Sequence, residues 1–170
     1  YEFTGLNDGV TYYFRVRARD AVLNESDFSS GVSSTQDSLP PSATGYTDNV
    51  ADNNDPDYVW SRDASVSFAA VGLTDNLSGV KDVYVEIANE NTFTPPVLFS
   101  GWVGNTSGSK TFVVPSAADG EKIFARAQFE DIAGNRTSAW LNSDGITLDL
   151  ADPIAGATTD NVADNDDPDY

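Results

Sequence analysis

Ten oxygen-bearing side chains stand in two short acidic runs, and their types and spacing suit the binding of a cation. Asp48, Asp52, Asn54, Asp55 and Asp57 fall within one stretch, and Asp160, Asp164, Asp166, Asp167 and Asp169 mirror them further on. Calcium takes about six to eight oxygen ligands, and clustered carboxylates with backbone carbonyls can supply most of these from one loop. So many like charges also repel one another, which a bound cation would relieve. The spacing is not that of an EF-hand: counting from Asp52, Pro56 stands where that loop needs an oxygen ligand, and the required glycine is missing. The same residues also fit an acidic, solvated connection in which Asp and Asn only cap turns. Calcium in these two runs is the expectation to be examined.

Other residues offer less. Asp20, Asn24 and Ser26, and again Asp131, Asn135 and Thr137, share the pattern Asp-x-x-x-Asn-x-Ser/Thr. Asx side chains at this spacing bond to nearby backbone amides and fix a loop, with a share in a junction cation site as the alternative. Trp60, Trp102 and Trp140 could stack on sugar rings, or fill a core or an interdomain contact. Four Asn-x-Ser/Thr sequons, at Asn24, Asn76, Asn105 and Asn135, are about what this composition yields by chance. Lys81, Lys110 and Lys122 could form Lys–Asn cross-links only beside a buried acid, which sequence cannot show. No phosphate-cradling glycine loop and no catalytic motif is present, so a non-enzyme is expected.

Composition narrows the classes further. The 170 residues carry 27 acidic against 9 basic side chains, a net charge of −18, which repels nucleic acid and anionic membranes. Cysteine, histidine and methionine are all missing, which excludes disulfides, thiolate zinc sites and histidine-based catalysis. No run approaches the roughly 18 apolar residues that a membrane span needs. A hydrophobic content of 39% with 11% aromatics argues for packed cores rather than disorder.

The elements that must position these residues repeat. Residues 47–58 recur at 159–170 with eleven of twelve positions identical, only Asn54 and Asp166 differing, at a spacing of 112. Asp37 pairs with Asp149 and Pro41 with Pro153 at the same spacing, and the two Asp-x-x-x-Asn loops pair after a one-residue gap. Prolines mark the edges. The expected organisation is the C-terminal part of one unit (1–40), a complete unit (41–152) and the start of the next (153–170), with the first residues reading as the middle of a strand.

Within each unit apolar residues alternate with polar ones, as in strands with one face buried. Tyr12, Phe14, Val16 and Ala18 share a face, as do Val66, Phe68 and Ala70, then Val83, Val85 and Ile87, and then Ile123, Ala125, Ala127 and Phe129. Ile146 and Leu148 mark a last strand. Turn signals lie between at residues 74–79, 103–105, 118–120 and 132–135. No stretch sustains a helical period, so the fold class is all-β.

The run Leu6-Asn-Asp-Gly9-Val-Thr-Tyr12 with Phe14-Arg-Val-Arg-Ala18 resembles the approach to the sixth strand of fibronectin type III domains. The Asp-x-x-x-Asn-x-Ser/Thr loops look like those of many bacterial members of that family, and the region 68–80 with its Asp75-Asn-Leu-Ser-Gly79 is similar to the second-strand region of bacterial immunoglobulin-like surface repeats. The resemblance implies tandem β-sandwiches of about 112 residues, with a tyrosine corner at Tyr12 that Ile123 cannot reproduce. It further implies a prokaryotic extracellular or cell-surface protein: a stalk, fibre or filament stiffened by calcium at its acidic segments. Its partners would be neighbouring repeats of the same chain and other copies in a fibre. The rival expectation is a glycan-binding adhesin region or an accessory domain of a polysaccharide-degrading enzyme, with surface glycans as partners.

Overall fold

Period-two patterning becomes strands throughout. The computed structural model describes residues 2–48, 60–62, 64–104, 110–114 and 116–156, and none of these is helical. Eleven strands are formed among them: β1 (Thr11–Phe14), β2 (Val32–Thr35), β3 (Gly45–Asp48), β4 (Trp60–Ser61), β5 (Ser65–Val71), β6 (Val80–Ala88), β7 (Phe99–Trp102), β8 (Lys110–Val113), β9 (Lys122–Asp131), β10 (Leu141–Asn142) and β11 (Ile146–Leu148).

Two sheets face one another across a shared core. One runs β3-β5-β8, and the other β4-β11-β9-β6-β7 with β10 also on β9. All these pairings are antiparallel except β4 with β11. Successive side chains of a strand point to opposite faces, so one set goes inward. Val66 and Phe68 from β5 meet Val83, Val85 and Ile87 from β6 and Ile123, Ala125, Ala127 and Phe129 from β9. Tyr46, Phe112, Val114, Ile146 and Leu148 complete this core. Each fully buried Phe or Ile contributes about 2–3 kcal/mol from transfer alone. The arrangement is that of an antiparallel β-sandwich.

The leading segment is built differently. β1 and β2 pair as a long hairpin in which Thr11 faces Thr35 and Tyr12 faces Ser34. Val16 and Tyr13 remain largely exposed, and none of the hairpin's residues joins the core. The Asn7 N–H donates to the Tyr12 hydroxyl at 2.9 Å, the backbone bond that a tyrosine corner requires.

One glycine ties the two sheets together. Gly145 has φ +89°, and a Cβ there would stand 2.6 Å from the Phe124 ring, so no side chain fits. Its N–H donates to Asp48 Oδ2 at 2.9 Å, joining the end of β3 to the turn before β11.

Candidate metal centre

Three aspartates from well-separated parts of the chain converge where the leading segment meets the sandwich. One carboxylate oxygen from each of Asp37, Asp75 and Asp131 lies within 4.8 Å of the others. Asp37 follows β2, Asp75 lies within the loop between β5 and β6, and Asp131 ends β9. Each is aimed by local hydrogen bonding that its neighbours in sequence supply.

Asp75 forms an Asx turn, with Oδ2 accepting from Leu77 N at 3.1 Å and Gly79 N at 2.7 Å. Its other oxygen, Oδ1, is buried and has no hydrogen-bond partner among the described residues. Asp131 is fully buried, and Asn135 holds it twice: the backbone N–H to Oδ1 at 2.8 Å and Nδ2 to Oδ2 at 2.7 Å. The second hydrogen of Asn135 Nδ2 goes to the Asp37 carbonyl at 3.1 Å, which fastens the linker to the loop. Asp37 itself accepts from Ser78 N at 3.0 Å and Leu39 N at 3.3 Å. Hydrogen bonding from Ser78 holds its carboxyl below the ordinary aspartate range, so it stays ionised.

A fourth carboxylate braces the same place. Asp8 Oδ1 accepts from Ser38 N at 2.8 Å, and its Oδ2 accepts from Asn76 Nδ2 at 3.2 Å. It thereby bonds the linker and the β5–β6 loop at once. Among the described residues no Lys or Arg forms an ion pair with Asp37, Asp75 or Asp131.

The donor set fits a hard cation. All the converging atoms are carboxylate oxygens, which select calcium or magnesium over softer metals. Oxygens bound to one calcium ion at about 2.3–2.6 Å stand no more than roughly 5.2 Å apart, and the three here fall inside that limit. Unit negative charges at this spacing repel by about 3 kcal/mol per pair at an effective dielectric near 20, and a bound cation reverses that cost. The buried Asp75 Oδ1 is the atom that most needs such a partner, because a buried acceptor without one costs about 1–3 kcal/mol.

The sequence pointed to a different pair of segments. Of its ten candidate ligands only Asp48 lies among the described residues, where it bonds Gly145 rather than joining the cluster. Asp52, Asn54, Asp55, Asp57, Asp160, Asp164, Asp166, Asp167 and Asp169 lie outside the described residues. Asp131 and Asn135 were read chiefly as loop formers, which they are. The loop can do both because its inner bonds use Asn135 as donor. Asp37 and Asp75 were not among the sequence's candidate ligands. The signal that could have found Asp37 was its match with Asp149 ahead of a paired proline.

The remaining candidates are also placed. Nδ2 of Asn24 donates to Asp20, while those of Asn76 and Asn135 donate to Asp8 and to Asp131 and Asp37, so none of these sequon amides stands idle; Asn105 is outside the described residues. Lys81 ion-pairs with Glu130 at 2.6 Å and is half exposed, not set in a core. Trp102 and Trp140 share an outer sheet face, meeting Tyr84 at ring separations of 5.1 and 6.0 Å. Arg136 lies 4.7 Å over the Trp102 ring and Arg126 lies 4.3 Å over Trp140. Comparison with protein-family models, with curated proteins and with solved structures finds no match to this chain.

Proposed function

We propose that this chain is a structural module of a tandem-repeat protein, in which immunoglobulin-like and fibronectin type III-like sandwiches are joined at junctions stiffened by calcium. The units are 1–40, 41–152 and 153–170. The observation that carries this reading is the convergence of Asp37, Asp75 and Asp131 at the junction of the first two units, with the buried Asp75 Oδ1 lacking a hydrogen-bond partner among the described residues. Asp37 belongs to the linker, and the other two to loops of the sandwich. A cation held by all three limits bending at that point, so the array projects rather than hanging as a flexible coil. An extracellular or cell-surface setting in a prokaryote agrees with the resemblance of the repeats and with millimolar calcium outside cells, as does a stalk or fibre role.

The test is thermal unfolding and small-angle scattering of the chain with millimolar calcium and with chelator. Calcium is expected to raise Tm by several degrees and to lengthen and stiffen the particle, and Asp75→Ala is expected to abolish both effects. An unchanged Tm and unchanged scattering would discard the cation.

The glycan-binding alternative draws on the Trp102–Tyr84–Trp140 face. Each tryptophan already carries a guanidinium against its ring, an arrangement worth about 0.5–2 kcal/mol per contact to the sheet itself. Glycan binding abolished by Trp102→Ala would favour it.

A further inference from the structure

The junction has an upper half, formed by the end of the leading segment, and the far end of the sandwich reproduces that half. In the leading segment Gly9 N donates to Gln36 O at 2.8 Å, Gln36 N donates to Val10 O at 3.0 Å, and Ser38 N donates to Asp8 Oδ1 at 2.8 Å. In the sandwich Gly120 N donates to Leu148 O at 2.8 Å, Leu148 N donates to Glu121 O at 2.8 Å, and Leu150 N donates to Asp119 Oδ1 at 2.6 Å. The two glycines share a positive φ, +72° and +77°, each in an Asp-Gly β-turn closed by Val10 N to Asn7 O or Glu121 N to Ala118 O, whose aspartate clamps the chain leaving the partner strand. Asp149 thereby takes the place that Asp37 takes.

What differs is what sits on top. On the first end, Asn76 bonds Asp8, Ser78 N bonds Asp37, and Leu77 Cδ1 approaches to 4.0 Å from where a Cβ of Gly9 would stand. Asp37 is buried as a result. On the second end a Cβ at Gly120 would meet nothing within 4 Å among the described residues, and Asp149 and Leu150 are exposed. Among the described residues, the second end is the first without its cap.

We infer that this far end, built on Asp119, Gly120 and residues 148–150, is a docking surface for a further copy of the same sandwich. That copy seats its 75–79 loop there, placing an Asn76 amide on Asp119 and a Leu77 side chain against Gly120. The partner is therefore another repeat with the loops of 41–152, arriving in head-to-tail order, and Asp119 is a positioning residue that presents the linker to it. The inference rests on the junction reading of the preceding subsection, yet its test separates the two.

The experiment uses the full chain with residues 41–152 duplicated in place after Asp152, which keeps the 112-residue period. Hydrogen exchange and small-angle scattering are read with calcium and with chelator. The Leu150 amide is expected to exchange roughly tenfold or more slowly than in the unextended chain, approaching the Ser38 amide. Scattering should give one extended particle of fixed length. Asp119→Ala should restore fast exchange and flexibility at the second junction while leaving Ser38 unchanged. Leu150 exchange at the unextended rate, with two sandwiches tumbling independently, would overturn the inference even if calcium still stiffens the first junction. Slowed Leu150 exchange with no calcium effect at either junction would uphold the docking surface and discard the cation.

Discussion

The chain contains one loop twice, and the two copies differ almost entirely in what surrounds them. In the leading segment Asp20 accepts from Asn24 N at 2.9 Å and from Asn24 Nδ2 at 2.8 Å, while Ala18 N donates to Ser26 Oγ at 2.9 Å. In the sandwich Asp131 accepts from Asn135 N at 2.8 Å and Nδ2 at 2.7 Å, while Phe129 N donates to Thr137 Oγ1 at 3.0 Å. The local geometry is the same because Asx and hydroxyl bonding is decided within seven residues. Yet Asp20 is exposed and Asp131 is fully buried, since only the second loop has Asp37 and the 75–79 loop packed against it. A loop that holds itself together is thus a ready-made component, and its neighbours decide whether it becomes part of a site.

The strands that lead into the two loops should differ most. Phe129→Ala in β9 opens a cavity in the core and is expected to cost about 3–5 kcal/mol in urea unfolding. Val16→Ala, at the equivalent stretch of the leading hairpin, is expected to leave the sandwich's midpoint unchanged, because Val16 is 72% exposed. Equal losses would mean that the hairpin face is covered in solution.

Next comes the aspartate itself. Asp131→Ala strips acceptors from Asn135 inside a buried junction and is expected to destabilise by about 3 kcal/mol, with calcium sensitivity lost. Asp20→Ala should change only local amide exchange at Val22 and Asn24. A global effect of Asp20→Ala would break the comparison.

A smaller contrast lies in the hydroxyls. Thr137→Val leaves the Phe129 N–H without its acceptor and is expected to cost about 1 kcal/mol, whereas Ser26→Ala in the exposed copy should be nearly silent by the same urea assay.

Acid sharpens the difference last. Glu130, beside the buried loop, is held below the ordinary glutamate value by hydrogen bonds from Lys81 and Arg136. A depressed folded value means that its stabilisation is fully present above the unfolded value and is lost as pH falls through the folded one. The same pair raises Lys81, whose share is present below its unfolded value and fades as pH rises through the folded one. NMR titration of the Glu130 carboxyl should therefore show a midpoint below that of an exposed glutamate, and Lys81→Met should move it upward. In the leading hairpin Arg19 faces Glu25 where Glu130 faces Arg136, so the two charges are exchanged across the same bridge.

Alternation alone was enough to find β5, β6, β9 and β11, because a strand with one buried face writes its period into the residues. Glycines at the turns were equally legible: Gly79, Gly120 and Gly134 all take the positive φ that their turn sequences demand. The inner bonding of the Asp-x-x-x-Asn loops was readable for the same local reason. The cation-site expectation drew attention to the densest acidic runs, where charge was conspicuous.

Sequence by itself determined the all-β class, the strand faces, the turns and the self-contained loops, since each depends on residues a few positions apart. The tertiary structure alone brought Asp37, Asp75 and Asp131 together across a span of 94 positions (131 − 37) and buried Asp131 while leaving Asp20 in solvent. Which loops meet follows from how two sheets stack and where a linker crosses them, and no local spacing encodes that.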